Sequence, residues 1–200
     1  MKNLNYKCVD YSEWDFNGKG KNVFLSFTLT EGTIWDRVFS FQDKREDTGH
    51  AEFVTYFAFK LLNYISADRE IVIPSVILHD VGWDVSPKAF REACASSKDR
   101  EMRLEHQVRG ALTAYEILNQ LKYPQRDITE IMRIILNHDT RISNNKEINF
   151  NFSLDEKLVR DADVLWRFTK PCMNNFHPNE PPEKILEYMK KELAKDNLYF

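Results

Sequence analysis

The chain has 200 residues, 42% of them hydrophobic and 30% charged, with a net charge of −3 at pH 7. That length supports one domain with a sizeable core, and that balance excludes a disordered chain. No basic field suits a nucleic-acid polymer, no apolar run approaches the roughly 20 residues that span a bilayer, and the N-terminus has no signal-peptide apolar region, so a cytoplasmic protein without membrane partners is expected.

Cys8, Cys94 and Cys172 are odd in number and form no Cys-x-x-Cys, which indicates neither a zinc finger nor thiol catalysis. The whole of 1–200 reads as one domain with a core over about 45–170, an N-terminal extension (1–44) and a C-terminal loop and helix (171–200). Within the extension, Asn22 to Thr30 has the β-branched and aromatic bias of a strand, with Glu31-Gly32 as the turn after it. Asp47 or Thr48 is the expected N-cap of the first helix.

In that helix His50, Val54, Phe57 and Leu61 recur at i, i+4, i+7 and i+11, so His50 points where the apolar residues point. Asn63 to Arg69 turns the chain. The run Ile71 to Leu78 then climbs without a charge into His79-Asp80 and stops at Gly82, with Pro74 expected in the first turn of its helix. Such a run delivers an imidazole and a carboxylate to the end of a buried segment, where each needs a partner. Residues 84–100 are polar and read as a loop beside that pair, placed to act as a lid or substrate contact.

A third helix is expected over about 105–121, with Ala111, Ala114, Leu118 and Leu121 inward. His106, Gly110, Thr113 and Ile117 form a neighbouring stripe, whose small members leave space in front of the His106 imidazole. Pro124 separates it from a fourth helix, over about 126–138, where Ile128, Ile131, Ile135 and His138 share a face. An Asn-rich loop follows at Arg141 to Phe152. A fifth helix over about 154–169 ends at Pro171, and a last amphipathic helix covers about 183–195. His177, in a Pro-rich loop, is expected to be exposed.

Four of the five histidines thus sit near helix ends, and His79 and His138 are each followed by Asp. A single histidine on an apolar face is ordinarily a core residue bonded to backbone. Four inward histidines with several carboxylates differ, because each unsatisfied buried polar group costs about 1–3 kcal/mol. A shared metal ion removes that cost by supplying the charge the carboxylates need. Nitrogen and carboxylate ligands without thiolate suit Mn, Fe, Co, Ni, Zn or Mg.

The order His50 … His79-Asp80 … Asp163 resembles the signature of the HD-domain superfamily of metal-dependent phosphohydrolases, His … His-Asp … Asp on a helical bundle. The likeness covers about Arg45 to Phe168. It is strongest at Ile77-Leu-His79-Asp80-Val-Gly82-Trp, close to the family's Leu-His-Asp-Ile-Gly, and at Asp161-Ala-Asp163-Val-Leu, close to its Asp-Ala-Asp-x-Leu.

The resemblance implies an all-α fold in which His50, His79, Asp80 and Asp163 ligate a first metal. The last ligand stays open: helical periodicity puts Asp161 nearer the stripe of Leu154, Leu158 and Leu165, whereas the family motif selects Asp163. His106 and His138 match the extra histidines of members that hold two metals bridged by the motif aspartate, here Asp80. In mononuclear members that region contacts substrate phosphate, so one or two divalent ions per chain are implied. Arg45 resembles a basic residue that some nucleotidase members use on phosphate, and reads equally as a surface charge in a Lys-Arg-Glu-Asp run. Some family hydrolases place an acid pair three and four positions after the motif aspartate; here those positions are Trp83 and Asp84. Asp84 is therefore a candidate to orient water or protonate the leaving group, and equally a cap for the following loop.

The implied activity is metal-assisted hydrolysis of a small phosphorylated metabolite or nucleotide, with Asp80 and Asp84 as the catalytic aspartates. Two other readings use the same ligands: a di-iron oxygenase of this fold, and a non-catalytic metal- or nucleotide-binding regulatory module. A homo-oligomer is left open.

Overall fold

The charge-free run of the sequence becomes the axis of the fold in the computed structural model. This structure describes residues 8–9, 23–24, 27–42, 49–85, 100–139, 151–170, 172–173, 177, 179–195 and 198–199. The expectations for Arg45, for the 86–99 loop and for most of the Asn-rich loop lie outside them. The helices are α1 (Leu29–Gln42), α2 (His50–Leu61), α3 (Arg69–Leu78), α4 (Val81–Val85), α5 (Arg100–Gln120), α6 (Gln125–Asn137), α7 (Leu154–Trp166) and α8 (Pro182–Lys195). The fold is an all-α bundle. Every residue from Ile71 to His79 is buried, because α3 is touched by α1, α2, α5, α6 and α7. A helix apolar all round is stable only in such surroundings.

The strand expected over Asn22 to Thr30 shrinks to two residues. Val23–Phe24 (β2) pairs antiparallel with Cys8–Val9 (β1), Cys8 opposite Phe24. From Leu29 the chain is helical, so Glu31-Gly32 is not a turn. A capping box decides this: Glu31 N donates to Thr28 Oγ1 at 3.2 Å and Thr28 N to Glu31 Oε2 at 2.6 Å. Such a cap stabilises a helix by about 1 kcal/mol. Arg69 grips the same carboxylate with two bonds of 2.8 Å, which ties α1 to the start of α3.

Gly49, rather than Asp47 or Thr48, is the N-cap of α2, and its φ of 89° suits glycine. Asp68 caps α3 by accepting from Glu70 N at 2.9 Å. Pro74 stands inside α3 and not in its first turn. Lacking an N–H, it leaves the Glu70 carbonyl without a helical donor. The Tyr123 hydroxyl donates to that carbonyl at 2.8 Å, so a side chain from beyond α5 repairs the gap.

α6 turns Ile128, Ile131, Ile134 and Ile135 inward. Arg133 joins it to α7 by reaching Glu156 Oε2 at 2.5 Å. α7 is capped by Ser153, which accepts from Glu156 N at 3.2 Å. It ends at Trp166, short of the expected 169, because the N–H groups of Arg167, Phe168 and Thr169 bond three residues back at 3.0–3.1 Å, tightening the last turn.

Candidate metal centre

Five helices deliver side chains to one place. His50 opens α2, His79 caps α3 and is followed by Asp80, His106 lies in α5, His138 caps α6, and Asp163 lies in α7. Two glycines meet where α4 packs on α5, and the tighter approach is at Gly82. A Cβ at Gly82 would lie 1.8 Å from the His106 carbonyl oxygen, and one at Gly110 would lie 3.4 Å from Gly82 N. The room at Gly110 is thus taken by α4 and its neighbours, while the ring that faces the His106 imidazole is that of Trp83. What the small residues provide is close approach of two helices, which brings Asp80 to His106.

All six predicted ligand positions converge. His50, His79 and Asp163 each offer a donor atom within 4.8 Å of the others, and Asp80, His106 and His138 form a second such group. Asp80 joins the two. Its Oδ2 is 3.1 Å from His50 Nε2 and 3.4 Å from His79 Nε2; its Oδ1 is 3.4 Å from His138 Nε2 and 3.8 Å from His106 Nε2. Asp163 Oδ1 lies 3.3 Å from His50 and 3.6 Å from His79. Asp161 is buried elsewhere: its two oxygens accept from Tyr199 N at 3.1 and 2.9 Å.

The donor set fits a divalent cation. His79 Nδ1 is 2.8 Å from the Val76 carbonyl and His138 Nδ1 is 2.7 Å from that of Ile135. A carbonyl only accepts, so each Nδ1 holds the proton and donates, which leaves the Nε2 lone pair facing the cluster. Two Nε2 atoms stand 3.0 Å apart in His50 and His79, and 3.3 Å apart in His106 and His138. Nitrogens so close need a cation or proton between them. Burial disfavours charge here, yet Asp163 and Asp80 together raise the His50 pKa and raise that of His79 well above the ordinary imidazole value. Burial likewise opposes ionisation of Asp163, but bonds from His50 and His79 hold its carboxyl well below the usual range. Positive charge between imidazoles and carboxylates is what this cluster favours.

A pocket of about 260 Å³ opens onto the cluster, and beyond the ligand-type residues its walls are Trp83, Asp139, Trp166, Arg167, Cys172 and Tyr188. Trp83 stacks on His106 with ring centres 4.0 Å apart and donates from Nε1 to Asp80 Oδ1 at 3.1 Å. Trp166 meets His50 edge-on at 5.5 Å. The sequence reading missed these wall residues. Arg167 had a signal, since it follows Asp163 by four positions. Of the other candidates, Asp84 lies in α4 with its side chain outside the described set, and Arg45 lies outside the described residues altogether. His177 is half-buried rather than exposed, because its ring packs 4.4 Å from that of Tyr188.

The HD domain family model matches residues 48–167, more than half of the chain. No curated protein and no solved structure matches the chain. The matched span carries all six converging histidines and aspartates, and on that match the chain belongs to the HD domain family, whose members are mostly metal-dependent hydrolases.

Proposed function

We propose that the protein is a metal-dependent phosphohydrolase acting on a small phosphorylated metabolite or nucleotide. The observation that carries this reading is the division of Asp80, with Oδ2 turned to His50 and His79 and Oδ1 to His106 and His138. In this reading His50, His79, Asp80 and Asp163 hold one divalent ion, and Asp80, His106 and His138 hold a second. Bound there, the metal would lower the pKa of a coordinated water towards neutrality and offset charge on phosphoryl oxygens.

The chain's own residues do the rest. The Val76 and Ile135 carbonyls keep His79 and His138 in the tautomer that presents Nε2. Trp83 restrains Asp80 by its N–H and restrains His106 by stacking. Trp83 covers a face of His106 and Trp166 an edge of His50, and low polarity there would strengthen the charge interactions beside them. Asp84, four positions after Asp80, is the acid assigned to the leaving group, and Arg45 is assigned to phosphate. A pocket of about 260 Å³ supports a small ester, being just below the roughly 300–1,000 Å³ typical of ligand sites.

Metal analysis of the purified protein, followed by a panel of phosphate esters with Mn, Fe, Co, Ni, Zn and Mg, tests the reading. H79A and D80A are expected to lose both metal and turnover; turnover retained by D80A would sink it. Six nitrogen and oxygen donors in two groups also suit a pair of irons. Bound iron with O₂ uptake on substrate addition would replace hydrolysis by oxygenation.

A further inference from the structure

The pocket floor is acidic. Asp80, Asp139 and Asp163 all line it, and among the described lining residues Arg167 alone carries a permanent positive charge. Arg167 keeps helical dihedrals at the end of α7, four positions after Asp163, so the two side chains leave the same helix face one turn apart. Its backbone N–H is tied to Val164 and Leu165, which gives the guanidinium a fixed base. Tyr188, from α8, lines the same pocket. That helix lies beyond the residues matched to the family. The chain after it is anchored, because Tyr199 N donates to both oxygens of Asp161 and the Tyr199 ring meets Phe152 at 6.0 Å.

We propose that Arg167 binds the phosphoryl oxygens not engaged at the ligand cluster, that Tyr188 adds its hydroxyl beside it, and that α8 thereby selects among phosphate esters. The substrate class rests on the phosphohydrolase reading. A guanidinium stays charged at all working pH values and offers a planar fork that matches phosphate. In a pocket with three carboxylates, an incoming anion needs that counterweight beside whatever ion the cluster holds. Asp161 becomes a positioning residue for the segment that carries Tyr188.

The test titrates inorganic phosphate into the metal-loaded protein and its R167A, R167K and Y188F variants, with metal content and the kcat and KM for a set of phosphate esters measured alongside. R167A is expected to weaken phosphate binding about 10- to 100-fold at unchanged metal content, the range for a lost charged hydrogen bond, and to raise KM. R167K recovers part of the loss. Y188F costs about three- to tenfold and reorders the preferred esters. Phosphate bound by R167A within twofold of the parent protein overturns the assignment, as does no binding by the parent itself. Metal lost from both R167A and R167K also overturns it, since the arginine would then act through Asp163. If R167A loses phosphate while the parent hydrolyses no ester, the anion site stands and the phosphohydrolase reading falls. If the parent hydrolyses esters and R167A does so with unchanged KM, the arginine assignment falls alone.

Discussion

Replacing Gly82 by alanine puts a methyl carbon 1.8 Å from the His106 carbonyl oxygen and 2.6 Å from Gly110 N. Cβ atoms do not come within 3.0 Å of such neighbours, so α4 and α5 must part by about 1.2 Å, the difference between 3.0 and 1.8 Å. Both obstacles are backbone, so no rotamer change relieves the contact. Overpacking of this kind costs about 1–3 kcal/mol, and a backbone clash belongs at the top of that range. The better helix propensity of alanine returns about 1 kcal/mol, leaving a net loss of roughly 2 kcal/mol. Asp80 precedes α4 and His106 lies in α5, with 3.8 Å between Asp80 Oδ1 and His106 Nε2. Separation therefore lands on the Asp80–His106–His138 group before it reaches His50.

G82A is expected to lower the urea midpoint of the metal-free protein accordingly, and to weaken one of two metal-binding steps in a calorimetric titration with Mn. G110A is the control. Its nearest contact is the Ile135 Cγ2 methyl at 3.2 Å, which a side chain can yield, so its loss stays below about 1 kcal/mol. Equal stability and equal metal binding in G82A and the parent protein would refute the claim that backbone contact at Gly82 sets the spacing of the site.

Other consequences can be measured with the same protein. Y123F orphans the Glu70 carbonyl beside Pro74 and should cost about 1 kcal/mol in urea unfolding without changing metal content; no change would mean that water already serves that carbonyl. D161A should leave metal content intact, while amide exchange speeds up at Tyr199 and local stability falls by about 1–2 kcal/mol; D163A should lose metal, and the reverse pattern would exchange the two aspartates. In the metal-free protein His50 and His79 titrate above their unfolded value of about 6.5, so their stabilisation is full below that pH and is lost as pH rises through the folded values. Asp163 titrates below its unfolded value of about 3.9, so its contribution is present above that pH and is lost as pH falls through the folded value. The Tm of the metal-free protein should therefore fall from pH 6 to 9, whereas a metal-loaded sample, whose ion replaces those protons, should hold its Tm; parallel curves would refute the exchange.

The helical bundle and the convergence of the six ligand-type residues were legible in the sequence, because helical periodicity reports which face a residue occupies. Periodicity says nothing about what a buried residue meets. Asp161 shows the limit: it is more buried than Asp163, as its stripe implied, yet its carboxylate accepts from the Tyr199 N–H. The motif's Asp163 is the aspartate whose carboxylate stands beside His50 and His79, at 3.3 and 3.6 Å. Gly110 was read as leaving space before the His106 ring, whereas the room at Gly110 itself is taken by Ile135, Gly82 and His79 from other helices. Pro74 suits a first turn by its own chemistry, and it stands inside α3 because the donor for the carbonyl it strands lies 53 residues on. The strand expectation reached too far for a local reason: Val23–Phe24 does pair as a strand, but the capping box at Thr28 starts a helix where the aromatic and β-branched run still continues in the sequence.

Range also explains why the pocket walls were the least legible part. Trp83 and Arg167 each stand within four positions of a motif aspartate and could be found by helical spacing from it, whereas Cys172 and Tyr188 reach the pocket only through the path of the chain after α7. The six clustered histidines and aspartates lie within the residues matched to the family, and Cys172 and Tyr188 lie past them. A site built this way can keep its metal chemistry fixed while its substrate preference varies with the segment laid across it. Within this chain, exchange of α8 should therefore alter ester preference far more than metal content.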